Sequence, residues 1–169
     1  RKASGLTPEA PTIASALKKE GYQTALVGKW HLGLKEGSRP NQNGFDYFYG
    51  FLAGCLDYYS HIFYYSMSDG GSNPTHDLWE NETEVYHNGK YLTDEITGHA
   101  VEQIRSMSRK DAPFLLYVAY NAPHYPMHPP QKYLDRYPHL RWDRRIMAAM
   151  LSAVDDGVGQ ILDELKRQG

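Results

Sequence analysis

The stretch Val27-Gly28-Lys29-Trp30-His31-Leu32-Gly33-Leu34 sets a cation and an imidazole one residue apart beside a flexible turn. Alternation from Tyr22 to Val27 reads as a short buried strand, so Lys29 and His31 emerge where open α/β sheets carry their ligand sites. Two donors aimed into one crevice suit an anionic group. The same spacing also fits His31 as the cap of a turn and Lys29 as a solvated edge charge, and spacing alone leaves both readings open.

A third group with chemical potential is His124. It follows the continuous apolar run Phe114-Leu115-Leu116-Tyr117-Val118-Ala119, which reads as a strand buried on both sides. The segment Asn121-Ala122-Pro123-His124-Tyr125-Pro126, with His128-Pro129-Pro130 behind it, fixes the backbone, so His124 is held in place. A positioned imidazole at a strand terminus is a candidate acid or base, or else a packing and turn-stabilising histidine. Asp155 and Asp156 are adjacent on a helical pattern. Neighbours on a helix point about 100° apart and do not chelate together, so they read as surface or capping residues.

These groups need a scaffold, and the pattern supplies one. Pro11 and Thr12 open a helix from Thr12 to Glu20, with Ile13, Ala16 and Leu17 on one face and Gly21 as terminator. Helix, tight turn and strand in that order imply a parallel sheet layered by helices. Leu92 to Met107 reads as a helix with Ile96, Ala100, Ile104 and Met107 on its apolar face. A long helix from about Arg141 to Gln168 repeats Ile146, Met150, Val154, Ile161 and Leu165 at helical spacing. Between them, Gly50 to about Tyr91 has poor periodicity, with Gly54, Gly70, Gly71 and Gly89, many tyrosines and the polar run Ser66 to Thr75. We read it as a long loop-rich insertion with short strands, a kind of segment that often carries specificity.

The chain has 169 residues, enough for a sizeable core. No initiating Met, signal-like run or stretch of roughly 20 apolar residues occurs, so no membrane partner is expected. The start at Arg1 and the stop at Gly169 after a long helix read as a piece of a larger chain. Lys plus Arg is 18 against Asp plus Glu 20, a net charge of -2 that excludes a nucleic-acid surface as the main feature. The single cysteine, Cys55, excludes an internal disulfide and a Cys-rich metal site but does not select a compartment. Tyr 14 and Trp 3 are a high aromatic load that suits a polar-ligand cleft or the packing of a loop-rich domain.

Gly21-Tyr22-Gln23-Thr24-Ala25-Leu26-Val27-Gly28-Lys29-Trp30-His31-Leu32-Gly33 resembles the second signature of the type I sulfatases, of the alkaline-phosphatase-like superfamily. Four further segments follow in the family's order: Asn43 to Gly50, Asp57-Tyr58-Tyr59-Ser60-His61, Pro113 to Pro126, and Ala153 to Gly159. Asp57 to His61 most resembles the arylsulfatase B and N-acetylgalactosamine-sulfatase branch. The resemblance covers essentially the whole chain, yet only a middle part of a sulfatase catalytic domain. It implies that residues 1–169 are a partial catalytic domain, part of an alkaline-phosphatase-like mixed or parallel sheet layered by helices, with residues 50–91 on the substrate side.

The resemblance also implies roles. Lys29 matches the lysine that contacts the sulfate oxygens, and His31 the histidine that hydrogen-bonds the formylglycine hydrate and assists its turnover. His124 matches the histidine near the bridging oxygen, a proton donor to the leaving alcohol. Ser60 or His61 falls where a further sulfate-pocket contact is expected. The implied substrate is a sulfated sugar or aryl sulfate, and the implied location is periplasmic or secreted, lysosomal in a eukaryote.

Several family features are absent from this stretch. The motif C/S-x-P-x-R, which yields the formylglycine nucleophile, does not occur, and Cys55 lies in an unrelated context. The paired acidic residues after the first strand and the later Asp-Asn pair, which bind calcium in sulfatases, do not occur either. Formylglycine and calcium are therefore implied for the full-length enzyme and expected nowhere in this segment, which by itself is expected to be inactive and, with an open sheet edge and an uncovered face, prone to self-association. A phosphate or phosphonate monoester hydrolase of the same superfamily and a non-catalytic binder of sulfated glycans are the alternatives.

Overall fold

The computed structural model describes residues 5–7, 9–64, 67–68, 71–72 and 74–169. In chain order it holds α1 (Ile13–Lys19), β1 (Gln23–Lys29), β2 (Tyr47–Phe51) and six two-residue strands, β3 (Ile62–Phe63), β4 (Met67–Ser68), β5 (Gly71–Ser72), β6 (Thr75–His76), β7 (Trp79–Glu80) and β8 (Thr83–Glu84). Then follow α2 (Leu92–Met107), β9 (Phe114–Ala119), the single turn α3 (Gln131–Leu134) and α4 (Trp142–Gln168).

Thr12 starts α1 by reciprocal capping: its hydroxyl accepts the Ser15 N–H and the Ser15 hydroxyl oxygen accepts the Thr12 N–H, both at 2.9 Å. Gly21, at φ +85°, then turns the chain into β1. The main sheet has the order β8-β7-β2-β1-β9. β1 pairs in parallel with β2 on one side and β9 on the other, and β7 and β8 add antiparallel, giving a mixed α/β sheet. Side chains alternate across it. Val27, Tyr49 and Phe51 pack against Leu92 and Ile96 of α2, while Leu26 and Phe48 pack with Ala14 of α1 on the opposite face. Helices thus layer both faces, as expected for this fold class.

At the C-terminal ends of the parallel strands, Gly28 faces Gly50 and Ala119. A Cβ at Gly28 would strike the Ala119 carbonyl, and one at Gly50 would strike the Gly28 carbonyl; both glycines have positive φ. No other residue type fits these two positions without strain.

The structure corrects several expectations. β1 runs past Val27 to Lys29, so the lysine ends the strand rather than following it. β9 is half-exposed instead of buried on both sides, with Tyr117 at 52% exposure; among the described residues it pairs along one edge, with β1. In α1 the buried residue is Ala14, while Ile13 is 69% exposed and Ala16 exposed. α4 packs chiefly on α2 and α3 through Ala149, Met150, Ala153 and Gly157, whereas Leu165 is exposed. Of the polar run Ser66 to Thr75, residues 66, 69, 70 and 73, including Gly70, lie outside the described residues. β7 and β8, from the loop-rich region, extend the main sheet. Among the described residues no helix is long and apolar enough to cross a membrane.

Candidate functional site

Lys29 and His31 are aimed by the residue between them. Trp30 is buried, donates its indole N–H to the Ser38 carbonyl at 2.7 Å and meets the Phe45 ring edge-on at 6.1 Å. Pairing with β2 continues beyond the strand, as Trp30 N–H donates to the Phe51 carbonyl (2.9 Å) and His31 N–H to the Leu52 carbonyl (3.2 Å). His31 adopts φ +60°, a left-handed turn, and its exposed ring lies against Gly54. Gly54 has no side chain there, and one would crowd the imidazole Nε2.

Parallel pairing of β1 and β9 sends the segments that follow both strands to the same end of the sheet, which brings His124 to the side of Lys29 and His31. The three are close enough to interact. Partial burial, then the Lys29 charge, then His124 hold the His31 imidazole below its ordinary pKa. The Lys29 side chain is half-buried and makes no hydrogen bond or ion pair among the described residues. His124 Nδ1 lies 3.1 Å from the Tyr125 carbonyl, an acceptor, so this nitrogen carries a proton and Nε2 is left for chemistry. A cavity of about 350 Å³ opens beside His31, lined also by Ser38, Leu52, Ala53, Gly54 and Phe63. Lys29 and His124 do not line it.

Two carboxylates, neither singled out from sequence as a brace, hold the backbone under these groups. Buried Asp77 accepts the N–H groups of Leu52 (3.1 Å) and Ala53 (2.7 Å) and the Trp79 indole N–H (2.8 Å). That fixes the loop to which His31 is hydrogen-bonded. Burial pushes the Asp77 carboxyl up to about 6, against the pull of those donors. Asp57 accepts the N–H groups of Tyr59 (3.0 Å) and Ser60 (2.7 Å) and the Ser60 hydroxyl (2.8 Å), and pairs with His128 at 2.9 Å. Partial burial raises its pKa, but the Ser60 and Tyr59 hydrogen bonds and then His128 more than offset this, leaving it below the usual value.

Ser60 and His61, expected as further sulfate-pocket contacts, each have a partner within the chain. Ser60 spends its hydroxyl proton on Asp57, and His61 is fully buried with Nε2 3.2 Å from the Lys90 carbonyl. Their segment acts as a clamp on the His124 loop: the Tyr58 hydroxyl donates to the His124 carbonyl at 3.0 Å, and Asn121 donates to the Leu56 carbonyl at 2.9 Å. A signal for this existed, since an Asp followed three residues later by Ser is a side-chain turn motif. Burial raises the Cys55 thiol pKa, with Lys29 opposing, so the thiol stays protonated at neutral pH. Asp156 forms a bidentate pair with Arg136 (2.7 and 3.2 Å) while Asp155 is exposed.

The residues present do not fit calcium, which takes six to eight oxygen ligands. Among the described residues the one group of His, Cys, Asp or Glu close enough to share an ion is His87, Glu95 and His99, a nitrogen-rich set.

The family model described as Sulfatase matches residues 2–169. The chain is 40% identical over 162 residues to Arylsulfatase J of Mus musculus, covering 94% of this chain and 26% of that protein. It is 29% identical over 173 residues to N-acetylgalactosamine-6-sulfatase of Mus musculus, covering 98% and 31%. The crystal structure of Ps i-CgsB in complex with k-i-k-neocarrahexaose superposes with a TM-score of 0.86 at 31% identity, covering 99% of this chain and 39% of that one. The chain thus spans about a quarter to a third of the length of these curated relatives.

Proposed function

The chain belongs to the sulfatase family, and from that premise we propose that the protein carrying it hydrolyses sulfate esters, with Lys29, His31 and His124 forming one side of the sulfate pocket. The observation that carries this reading is the convergence of the Lys29 ammonium, unpaired among the described residues, and two imidazoles at the C-terminal end of parallel strands. In it, the Lys29 ammonium contacts the non-bridging sulfate oxygens. His124, with one proton committed through Nδ1 to the Tyr125 carbonyl, acts in its imidazolium form: the second proton, on Nε2, passes to the departing alcohol oxygen as the ester bond breaks and leaves a neutral ring. His31, neutral at physiological pH, accepts a hydrogen bond or a proton beside it. Charge grows on the leaving oxygen, and fixed cationic donors stabilise it best where water is limited.

The substrate we infer is a sulfated sugar or an aryl sulfate. The name N-acetylgalactosamine-6-sulfatase and the neocarrahexaose held by Ps i-CgsB support the sugar class. Residues 50–91 form the substrate side of a partial catalytic domain in this reading. Formylglycine and calcium belong to it only as groups of the family, supplied by residues other than those described, and no step is assigned to them. A periplasmic or secreted location, lysosomal in a eukaryote, rests on the family alone.

The test uses the whole protein that carries this segment, assayed with an aryl or sugar sulfate and with the matching phosphate. Sulfate turnover that falls about 100-fold in both Lys29→Ala and His124→Ala is the expected result. Undiminished turnover in either variant overturns its assigned role, and faster phosphate than sulfate turnover overturns the substrate class.

A further inference from the structure

A second polar cluster lies where β2 meets α2. Tyr47 and Tyr49, two apart on β2, project to the same face of the sheet, and Glu95 and His99, four apart on α2, share one side of the helix. His87 reaches in from the loop before α2. One nitrogen of each imidazole and one Glu95 oxygen all lie within 4.8 Å of one another. This cluster shares no lining residue with the cavity at His31.

The protons can be counted. The Tyr47 hydroxyl donates its one proton to Glu80 (3.0 Å) and lies 2.8 Å from His99 Nδ1, so Nδ1 is the donor in that contact. The lone pair of His99 is thereby placed on Nε2. The Tyr49 ring stacks on the His99 ring at 3.5 Å with an interplanar angle of 10°, which fixes the imidazole plane. The Tyr49 hydroxyl donates to Glu95 Oε2 at 3.2 Å, and His87 Nδ1 meets the same oxygen at 2.5 Å. A carboxylate relayed through a hydroxyl to one ring nitrogen, with the other nitrogen left bare, is the outer support that metal-binding histidines carry.

Access and charge agree. A groove of about 600 Å³ runs along α2 past His87, Glu95 and His99, and nothing fills the space beside Gly98. Glu80 and Glu102 add negative charge around the imidazoles. Of the three cations in the groove, Arg105 is engaged by Glu164 at 2.9 Å, Lys90 reaches the other Glu95 oxygen at 3.7 Å, and Arg109 is exposed.

We propose that His87, Glu95 and His99 bind a divalent metal ion of the zinc class, with a fourth coordination position open to the groove. Two imidazoles and one carboxylate are a three-ligand set that suits zinc, whereas calcium takes more oxygens than the cluster offers. Ligand atoms around zinc sit about 2.0–2.1 Å from the ion. The His99 ring closes inward to reach that geometry, and the ion takes the place of the proton shared by His87 Nδ1 and Glu95, which moves to Nε2 of the same ring or, where Nε2 already carries one, leaves to solvent, so that His87 binds as a neutral imidazole.

The purified whole protein that carries this segment is titrated with cobalt(II) as a spectroscopic probe, then with zinc as competitor. One saturable cobalt site per chain, a visible d–d band without a thiolate charge-transfer band, and displacement by equimolar zinc are expected. His87→Ala and His99→Ala each weaken binding at least tenfold, and Tyr47→Phe, which keeps all three ligands, weakens it about tenfold. No saturable site, affinity unchanged in the histidine variants, or displacement of cobalt by equimolar calcium overturns the proposal. Should a histidine variant lose its far-UV circular dichroism, Glu95→Gln and Tyr47→Phe decide it, and unchanged affinity in both overturns it.

Discussion

Lys29, His31 and His124 stand at the end of the sheet with few partners of their own, whereas Tyr47, Tyr49, Glu80, His87, Glu95 and His99 are tied to one another by a chain of hydrogen bonds and stacked rings. Both regions are polar, both border β strands, and both contain two histidines. The difference lies in where the bonding capacity goes. At the sheet end it is left for a ligand, and the backbone below is held by other side chains, Asp57 and Asp77. In the β2–α2 cluster the tyrosine hydroxyls spend it internally, so the tyrosines stabilise the fold, and only the His99 Nε2 lone pair is left over among these contacts. Removing Lys29 should therefore harm function, and removing a tyrosine of the cluster should harm stability.

The largest expected effect tests the second half of that statement. Tyr49→Ala removes a fully buried ring from the core and should cost about 3–5 kcal/mol, read from urea denaturation. A loss below about 1 kcal/mol would break the contrast. Lys29→Ala should do the reverse, with stability unchanged to within about 0.5 kcal/mol and kcat/KM for a sulfate ester in the whole enzyme lowered about 100-fold. Equal losses in both properties would mean that Lys29 is structural.

Asp57→Asn should fall between them, because its carboxylate both caps a turn and steadies the His124 loop. About 1–2 kcal/mol of stability and a fall in kcat larger than the change in KM are expected, from denaturation and steady-state kinetics. Its folded pKa is depressed, so its contribution is present above pH about 4 and is lost as pH falls below that. Asp77 has the opposite sign. With its folded pKa raised to about 6, the stability it contributes is full below pH about 4 and declines as pH rises through 6, which a melting series over pH 4–7 records.

The smallest effect is a shift in pH dependence. Since His31 is held below its ordinary pKa, the acid limb of kcat/KM should lie below pH about 6.5, and removal of the Lys29 charge should move it upward by a fraction of a unit. A limb that stays fixed in Lys29→Ala would uncouple the two groups.

The sheet end was readable from sequence because strand alternation and proline punctuation both leave strong marks. Gln23–Lys29, Leu92–Met107 and Phe114–Ala119 stand close to where the pattern puts them. The errors share one physical origin. Large apolar residues dominate periodicity, but the close contacts of α1 and α4 are made by small ones. At Gly157 a Cβ would strike the Thr97 and Tyr120 hydroxyls, so α4 approaches α2 through the residue with the least hydrophobic signal. Burial of β9 was overread because an apolar run reports what a strand can bury and says nothing about how many neighbours it has. Ser60 and His61 carry types that suit a ligand, and only coordinates show that Asp57 and the Lys90 carbonyl engage them. The β2–α2 cluster draws on residues from 47 to 99, a span that no local pattern connects.

Gly28 and Gly50, facing each other across β1 and β2, carry a consequence at the level of the genetic code. Every other amino acid reached from a glycine codon by a single base change has a Cβ, and at these two sites that atom meets a carbonyl of the neighbouring strand. Point mutation therefore offers these positions synonymous changes but no neutral replacement. Lys29 directly follows one of them and His31 lies three residues on, so lineages can vary the chemistry at this sheet end only around two glycines that stay fixed.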